Sequence, residues 1–482
     1  MTTNQFMKQV ENTRHAVVIG GSVGGLAVAQ VLLRHFGRVT IVERDRLPDS
    51  PQPRKGVPQG RQPHALMLRG LNALEQLFPG FRQELIDGGA VVVNMGADFA
   101  FNVFGRWRRG PYASDLSGLC ASRPLIEFTL FCRLSGHPRL TVIQEHEAIG
   151  LLADAAGKRA TGVRLRDRSA PGATEIHIEA DFVVDASGRE SKAPEWLKML
   201  GYAPPDETVV TADPGYSNRY YEAAPGHNWK MMYVMPAAPD RRRGALIMPM
   251  EGGLWQVCMI GMDGEHPPVD VAGFLDYARN LPSPRVYEAI QGAKALGDPI
   301  GFRKGENRLR HYEAMPRHLE SFVAFGDAVY ALNPVYGQGM SVAAAGALEL
   351  DACLRAQRAW RGVGSLDGLA ARFQKKLLGV LTPAWMMATG EDRRWAGLEK
   401  AGRAASGETN PIVRLLQKYM TRVLRAQADD DVVAEGFFYV QQMLRSPFSL
   451  LHPRILFRVL RAKPAPPAGV MAPASPVAPI AA

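Results

Sequence analysis

Two short runs near the amino terminus, Ala16-Val17-Val18-Ile19 and Val39-Thr40-Ile41-Val42, are dominated by β-branched residues and carry no charge. Runs of this length and composition predict strands buried on both faces of a parallel sheet. Between them stand a glycine turn, Gly20-Gly21-Ser22-Val23-Gly24-Gly25, and enough apolar chain for a crossover helix. From Ala65 to Leu77 the period lengthens, and Leu66, Leu68, Leu71, Leu74 and Leu77 make a helical stripe. Ser122 is placed to cap a helix that opens Arg123-Pro124 and runs to about Leu134. Leu140–Gln144, Glu147–Ala153 and Ala160–Arg166 run apolar or alternate between turns. They predict an antiparallel meander that returns to the main sheet through Asp181–Asp185.

The pattern changes between Gly201 and Arg317, where Arg219–Ala223, Trp229–Met235, Ala245–Pro249 and Leu254–Gly261 read as strands separated by Pro and Gly. Their Met and aromatic residues suit a mixed-sheet core, and Met also adapts to an irregular lipophilic guest. Phe322-Val323-Ala324-Phe325 is a further buried strand, and the small-residue stretch Val342–Cys353 predicts a helix able to lie flush on a sheet. The carboxyl third reads as amphipathic helices with interleaved basic residues, either a cap on the sheet domain or a membrane-surface element. These patterns predict an α/β fold. A Rossmann-like dinucleotide-binding domain with a three-layer, parallel-sheet core (14–200 and 318–360) is interleaved with a mixed β-sheet substrate domain (201–317). C-terminal helices (361–462) and a disordered Pro/Ala tail (463–482) follow.

Composition narrows the picture only a little. The 482 residues are 46% hydrophobic and 22% charged, as in an ordinary soluble protein, and no apolar run approaches the length of a bilayer span. A cytoplasmic location, with or without peripheral membrane contact, is the expectation. Cys120, Cys132, Cys258 and Cys353 are scattered without metal-ligand spacing, so no metal is expected. The net charge of +10 is dispersed, and no nucleic-acid module is visible; anionic cofactors or a membrane surface account for it instead.

Candidate chemistry begins at the first glycine turn. Gly20 permits a tight backbone, Gly25 a close helix, and the free N–H groups of the helix's first turn suit a pyrophosphate. Ser22 stands where the usual fingerprint has its middle glycine. Glu43 ends the second strand, where a carboxylate can accept hydrogen bonds from both ribose hydroxyls of an adenosine, and Arg44 follows it. In the Pro/Gly-broken loop beyond, Arg54, Gln59 and His64 are candidate cofactor contacts. Asp185-Ala186-Ser187-Gly188-Arg189 is a second turn that tolerates close cofactor approach. No second glycine fingerprint provides a separate nicotinamide domain.

Three separated marks, the glycine turn with Glu43, DASGR at Asp185–Arg189 and GDA…NPVYGQGM at Gly326–Met340, resemble those of single-component (group A) FAD-dependent monooxygenases. RKGVPQGRQPHAL, SRPLIE and VVDASGRESKAPEWL are further similar to bacterial polyether olefin epoxidases and squalene-epoxidase-like flavoproteins. The resemblance spans roughly Arg14 to Cys353. It implies FAD as cofactor, NADPH or NADH as transient reductant, and O2 as co-substrate. One oxygen atom would pass through a flavin C4a-hydroperoxide to a lipophilic polyene, terpenoid or polyketide of secondary metabolism, by epoxidation or hydroxylation. A flavin-linked reductase without oxygen transfer is the alternative. By the same resemblance Glu43 holds the adenosine ribose, Arg123 the phosphate and ribityl region, and Asp327 the ribityl chain or its pyrophosphate end. Pro334–Met340 would lie beside the isoalloxazine. Gly337 and Gly339 would offer N–H groups at the start of the helix from Met340, with Pro334, Tyr336 and His64 as flavin-proximal polar or loop contacts.

Overall fold

The computed structural model describes residues 13–169, 175–303, 305–362, 364–395 and 411–462; the expected Pro/Ala tail lies outside them. Five parallel strands form the main sheet: β1 (His15–Ile19), β2 (Arg38–Val42), β3 (Leu140–Ile143), β4 (Phe182–Asp185) and β5 (Phe322–Ala324). Their order is β5-β4-β1-β2-β3. Every residue of β1 is buried, Ala16–Ile19 as an apolar run at the centre of such a sheet and His15 through ring contacts to Glu179 O at 2.7 Å and Thr40 Oγ1 at 2.8 Å. Helix α1 (Val23–Leu32) makes the first crossover.

Helices α2 (Leu68–Leu77), α3 (Arg123–Ser135), α4 (Gly339–Arg361) and α5 (Leu369–Asp392) follow. The expected capping of α3 is present, Ser122 Oγ accepting from Leu125 N at 3.1 Å. Small residues Ala343, Ala344, Gly346 and Ala347 are buried along α4, which packs against α1, α2 and α5. A Cβ on Gly346 would stand 3.0 Å from Leu377 Cδ1, so the α4–α5 approach depends on that missing methyl.

Leu140–Ile143 corrects the predicted meander. It pairs in parallel with β2, Val39 opposite Leu140 through Val42 opposite Ile143, because α3 before it acts as a crossover. The chain then reverses through Glu145 at φ 58°. His146–Ala153, Ala160–Asp167 and Glu175–Glu179 form the antiparallel sheet, which packs on β4.

The second sheet has seven strands in the order 295–302, 215–222, 254–261, 243–250, 231–234, 99–103 and 106–107. The last two come from a segment that sequence reading placed wholly with the dinucleotide-binding domain. Phe99–Val103 joins in parallel beside Met231–Val234, and local periodicity does not report so distant a pairing. Phe101 anchors it, fully buried among Tyr233, Phe437 and Phe438.

Carboxyl-terminal helices α6 (Pro411–Ala426), α7 (Asp431–Gln441) and α8 (Pro453–Arg461) complete the described chain. Phe437 and Phe438 of α7 belong to the same core as β1 and α4, so this region is packed onto both sheets. Among the described residues, no helix is long and apolar enough to cross a membrane.

Candidate cofactor and active site

One cleft gathers loops that are far apart in the chain. It is lined by Ile19–Gly24, Val42–Arg44, Ala186–Glu190, Phe325–Asp327 and part of Leu332–Met340. All follow the carboxyl ends of parallel strands or the start of α4, the usual place for a ligand in such a sheet. Gly20 sits at φ 105°, and a Cβ there would lie 2.5 Å from Ala186 O; only glycine lets the first and second turns meet. Gly25 does not line the cleft. A Cβ on it would fall 1.8 Å from Gly20 O, so its work is the close fit of α1 beneath the turn.

A buried charge network forms the Glu43 side of the cleft. Glu43 accepts from Gly21 N at 2.7 Å and Asp45 N at 3.0 Å, and pairs with Arg54 at 2.9 Å. Arg54, 7% exposed, also reaches Asp45 at 3.2 Å and Glu127 at 3.4 Å. Burial opposes its charge, but Glu43, Glu127 and Asp45 together raise its pKa above the usual value. Ser22 is drawn into the same network, its hydroxyl donating to Glu127 at 2.6 Å and accepting from Arg123 at 2.8 Å. Arg123 pairs with Glu127 at 2.7 Å. Burial works against the Glu127 carboxylate, yet Arg123, Arg54 and the Ser22 hydroxyl hold its carboxyl below the usual range. Glu127 was not foreseen as a site residue. Its signal was the i,i+4 spacing from Arg123 on a predicted helix. Arg44 lines the cleft and donates to Gly56 O at 2.7 Å.

The broken loop closes one side. Arg61 O accepts from Gln256 Nε2 at 2.8 Å, Asn218 Nδ2 at 2.9 Å and Tyr220 Oη at 3.2 Å, which pins the loop to the second sheet. Gln59 and His64 thereby come to line the cleft. Burial, then the neighbouring Arg123, pushes the His64 pKa down to about 3. The imidazole is therefore neutral, Nδ1–H donating to Gln62 O at 2.8 Å and Nε2 accepting from Arg123 at 3.1 Å.

Asp327, Pro334, Gly337, Gly339 and Met340 line the other end, as does Gly188 at φ 90°. Burial raises the pKa of Asp327, against the pull of Arg189 and Arg123. Arg189 itself donates to Glu306 O and Leu332 O, tying the DASGR turn to the loop before α4. Three expectations fail here. Asp185 is fully buried and does not line the cleft; it accepts from Ser187 N at 3.0 Å and Ser191 Oγ at 2.5 Å, shaping the turn from beneath. Gly337 spends its N–H on Pro334 O at 2.9 Å, and its role is the φ of 64° that lets the chain enter α4. Tyr336 points away from the cleft lining, its hydroxyl donating to Asp392 Oδ1 at 2.5 Å.

Asp392, at the end of α5, was invisible to sequence reading. It is fully buried and also accepts from Asn307 Nδ2 at 2.6 Å and Asn333 Nδ2 at 3.0 Å. Asn333 N donates to Asn307 Oδ1 at 2.8 Å, and Tyr216 Oη donates to Asn333 Oδ1 at 2.7 Å. The turn that lines the cleft is thus held from α5 and from both neighbouring strands.

No protein-family model matches the sequence. Protein Rv3254 of Mycobacterium tuberculosis is 30% identical over 389 residues, covering 77% of this chain and 79% of the relative. The chain belongs to the same family as Protein Rv3254. A shorter match, 32% over 183 residues, covers 36% of this chain and 38% of the 6-methylpretetramide 4-monooxygenase of Streptomyces rimosus. Among solved structures, a flavoprotein/dehydrogenase from Cytophaga hutchinsonii superimposes with TM-score 0.63 at 14% identity, over 92% of this chain and 96% of that one. The p-nitrophenol 4-monooxygenase PnpA of Pseudomonas putida DLL-E4 gives 0.59 at 18% identity, over 90% and 99%. The fold of this Rv3254 relative is therefore the group A flavoprotein fold shared by FAD-dependent monooxygenases and halogenases.

The residues present in this family member fit an FAD. Gln62 Oε1 and Gln338 Oε1 are buried polar atoms without a hydrogen-bond partner among the described residues, and both residues line the cleft. Buried polar atoms of this kind call for a partner. The glycine turn and α1 suit a pyrophosphate, the Glu43 side an adenosine, and Asp327 with the start of α4 the opposite end.

Proposed function

We propose that the protein is an FAD-dependent monooxygenase that places one oxygen atom from O2 on a lipophilic substrate, by alkene epoxidation or by hydroxylation of an electron-rich ring. One observation carries this reading: three loops distant in sequence line a single cleft at the carboxyl ends of the parallel strands, two of whose lining residues, Gln62 and Gln338, carry buried oxygens unpartnered among the described residues. The similarity to a 6-methylpretetramide 4-monooxygenase favours oxygen transfer over the other chemistries of the fold. Bound FAD, reduced by NADH or NADPH, would supply the activation of dioxygen.

The chain's own share is binding, orientation and exclusion of water. Asp327 and Arg123 would hold the phosphate and ribityl region, with Ser22 and Glu127 keeping the Arg123 guanidinium in place. The first turn of α4, at Gly339 and Met340, presents backbone N–H groups and the positive end of the helix dipole toward the cleft, which favours negative charge there. His64, neutral and acceptor-only toward Arg123 at Nε2, adds no positive charge to the site. Phe302, Leu332 and Pro334 give the cleft its apolar wall, where a polyene, terpenoid or polyketide would displace water.

The test is to purify the protein, record its flavin spectrum, and supply NADH or NADPH, labelled dioxygen and candidate polyenes or aromatic polyketides. The expected result is a product carrying one ¹⁸O atom. A product that forms without the label, and equally well under anaerobic conditions, would establish the reductase alternative instead.

A further inference from the structure

Helices α6 and α8 and the turn Pro447–Leu451 pack on one another at the carboxyl end of the described chain. Tyr419 Oη joins them by donating to Leu450 O at 2.6 Å. What these elements turn outward is apolar and basic. Leu415 is 67% exposed, Phe448 61%, Leu460 55% and Phe457 54%. Single exposed apolar residues are ordinary, but four large ones on three touching elements make a patch that asks for a partner.

Charge says which partner. Residues 411–425 and 445–463 contain no Asp or Glu. Arg414, Lys418, Arg422 and Arg454 have no ion pair among the described residues, whereas Arg458 is paired with Asp430 at 2.8 Å. Arg461 lies over the Phe457 ring at 3.8 Å, so an aromatic face and a cation are presented together. The turn at Pro447 also closes a groove of about 640 Å³ against α2, α4 and α5, walled by Val380, Met387, Met443 and Leu444, with Arg69, Arg445 and Glu349 as its charged lining.

We propose that this face docks on the surface of an anionic lipid bilayer, its aromatic and aliphatic side chains entering the acyl boundary and its cations meeting the headgroups. A second copy would bring two basic faces together. The stretch 463–482 carries Lys463 as its one charge and offers no acidic complement.

The experiment is co-sedimentation of the full chain with vesicles of phosphatidylcholine alone or mixed with phosphatidylglycerol. Binding is expected on the anionic vesicles and should weaken about tenfold from low to high salt. Two variants test the two halves of the face: Phe448→Ser/Phe457→Ser/Leu460→Ser, and Arg414→Gln/Lys418→Gln/Arg422→Gln. Each should lose about tenfold or more in vesicle partition with an unchanged circular dichroism spectrum, since every side chain removed is exposed. Equal binding by the variants, or no binding to anionic vesicles, would overturn the assignment. So would a dimer in solution that the apolar variant dissociates, or vesicle binding gained only by a chain ending at 462.

Discussion

Replacing Asp392 by Asn tests whether the turn beside the cleft rests on a buried carboxylate. Burial is the main cause that raises the Asp392 pKa from 3.8 to about 6, against hydrogen bonds from Tyr336, Asn333 and Asn307. A folded-state pKa above the unfolded one means the native protein binds the proton more tightly. Stability therefore falls as pH rises from about 4 to about 6, and the cost is complete above that window. Two pKa units correspond to about 3 kcal/mol. In Asp392→Asn this titration disappears. The new amide can still accept from Tyr336, but its NH2 abuts the Asn307 Nδ2 donor at the present 2.6 Å contact. Asn307 cannot turn over to help, because its Oδ1 already accepts from Asn333 N. An unsatisfied buried donor costs about 1–3 kcal/mol, so the variant's net change at neutral pH is small. The pH dependence is what separates the two proteins. Urea unfolding of both, followed by tryptophan fluorescence from pH 4 to pH 7.5, should show the difference between them changing by about 2.5 kcal/mol, since the unfolded carboxyl is already partly ionised at pH 4. Parallel curves would refute the buried-carboxylate account.

Asp327→Ala should abolish tight flavin retention, read as the absorbance at the flavin band after gel filtration; full occupancy in that variant would remove Asp327 from the cofactor site. Arg54→Met leaves Glu43, Asp45 and Glu127 without the cation they share, and breaking a buried pair of this kind costs about 3–5 kcal/mol, measurable as a lowered urea midpoint at pH 7. Gly25→Ala places a methyl 1.8 Å from Gly20 O, so α1 must move, and the expected outcome is a loss of about 3 kcal/mol or more with no soluble flavin-binding protein recovered. Gly188→Ala meets nothing within 4 Å but keeps φ at 90°, so its cost should be the backbone strain alone, on the order of 1–2 kcal/mol, with flavin binding weakened and the fold intact.

Sequence by itself determined the elements whose physics is local. The β-branched runs of β1 and β2 could only be buried strands, the small residues of α4 only a flush helix, and Gly20 only a turn that another backbone approaches. From these came the parallel sheet and the place of Glu43 at its carboxyl edge, while the resemblance to group A flavoproteins pointed to Arg123, Asp327 and the Pro334–Met340 segment; all of these except Val335 and Tyr336 line the cleft, together with Arg54 and His64 of the broken loop. Tertiary structure decided what depends on who stands opposite. Leu140–Ile143 has the same composition in a meander as in a parallel sheet, and the open edge of β2 settled the matter. Phe99–Val103 took its place from an aromatic cluster donated by α7. Asp185 and Tyr336 carry the side chains of cofactor ligands, yet each found a closer partner beneath the surface, Ser191 for one and Asp392 for the other. Periodicity along a chain reports which face of an element is dry. Which polar group meets which across that dry face is set by distances of a few ångströms, whether the partners stand 6 residues apart, as Asp185 and Ser191 do, or 56, as Tyr336 and Asp392 do, and those exist only once the chain has folded.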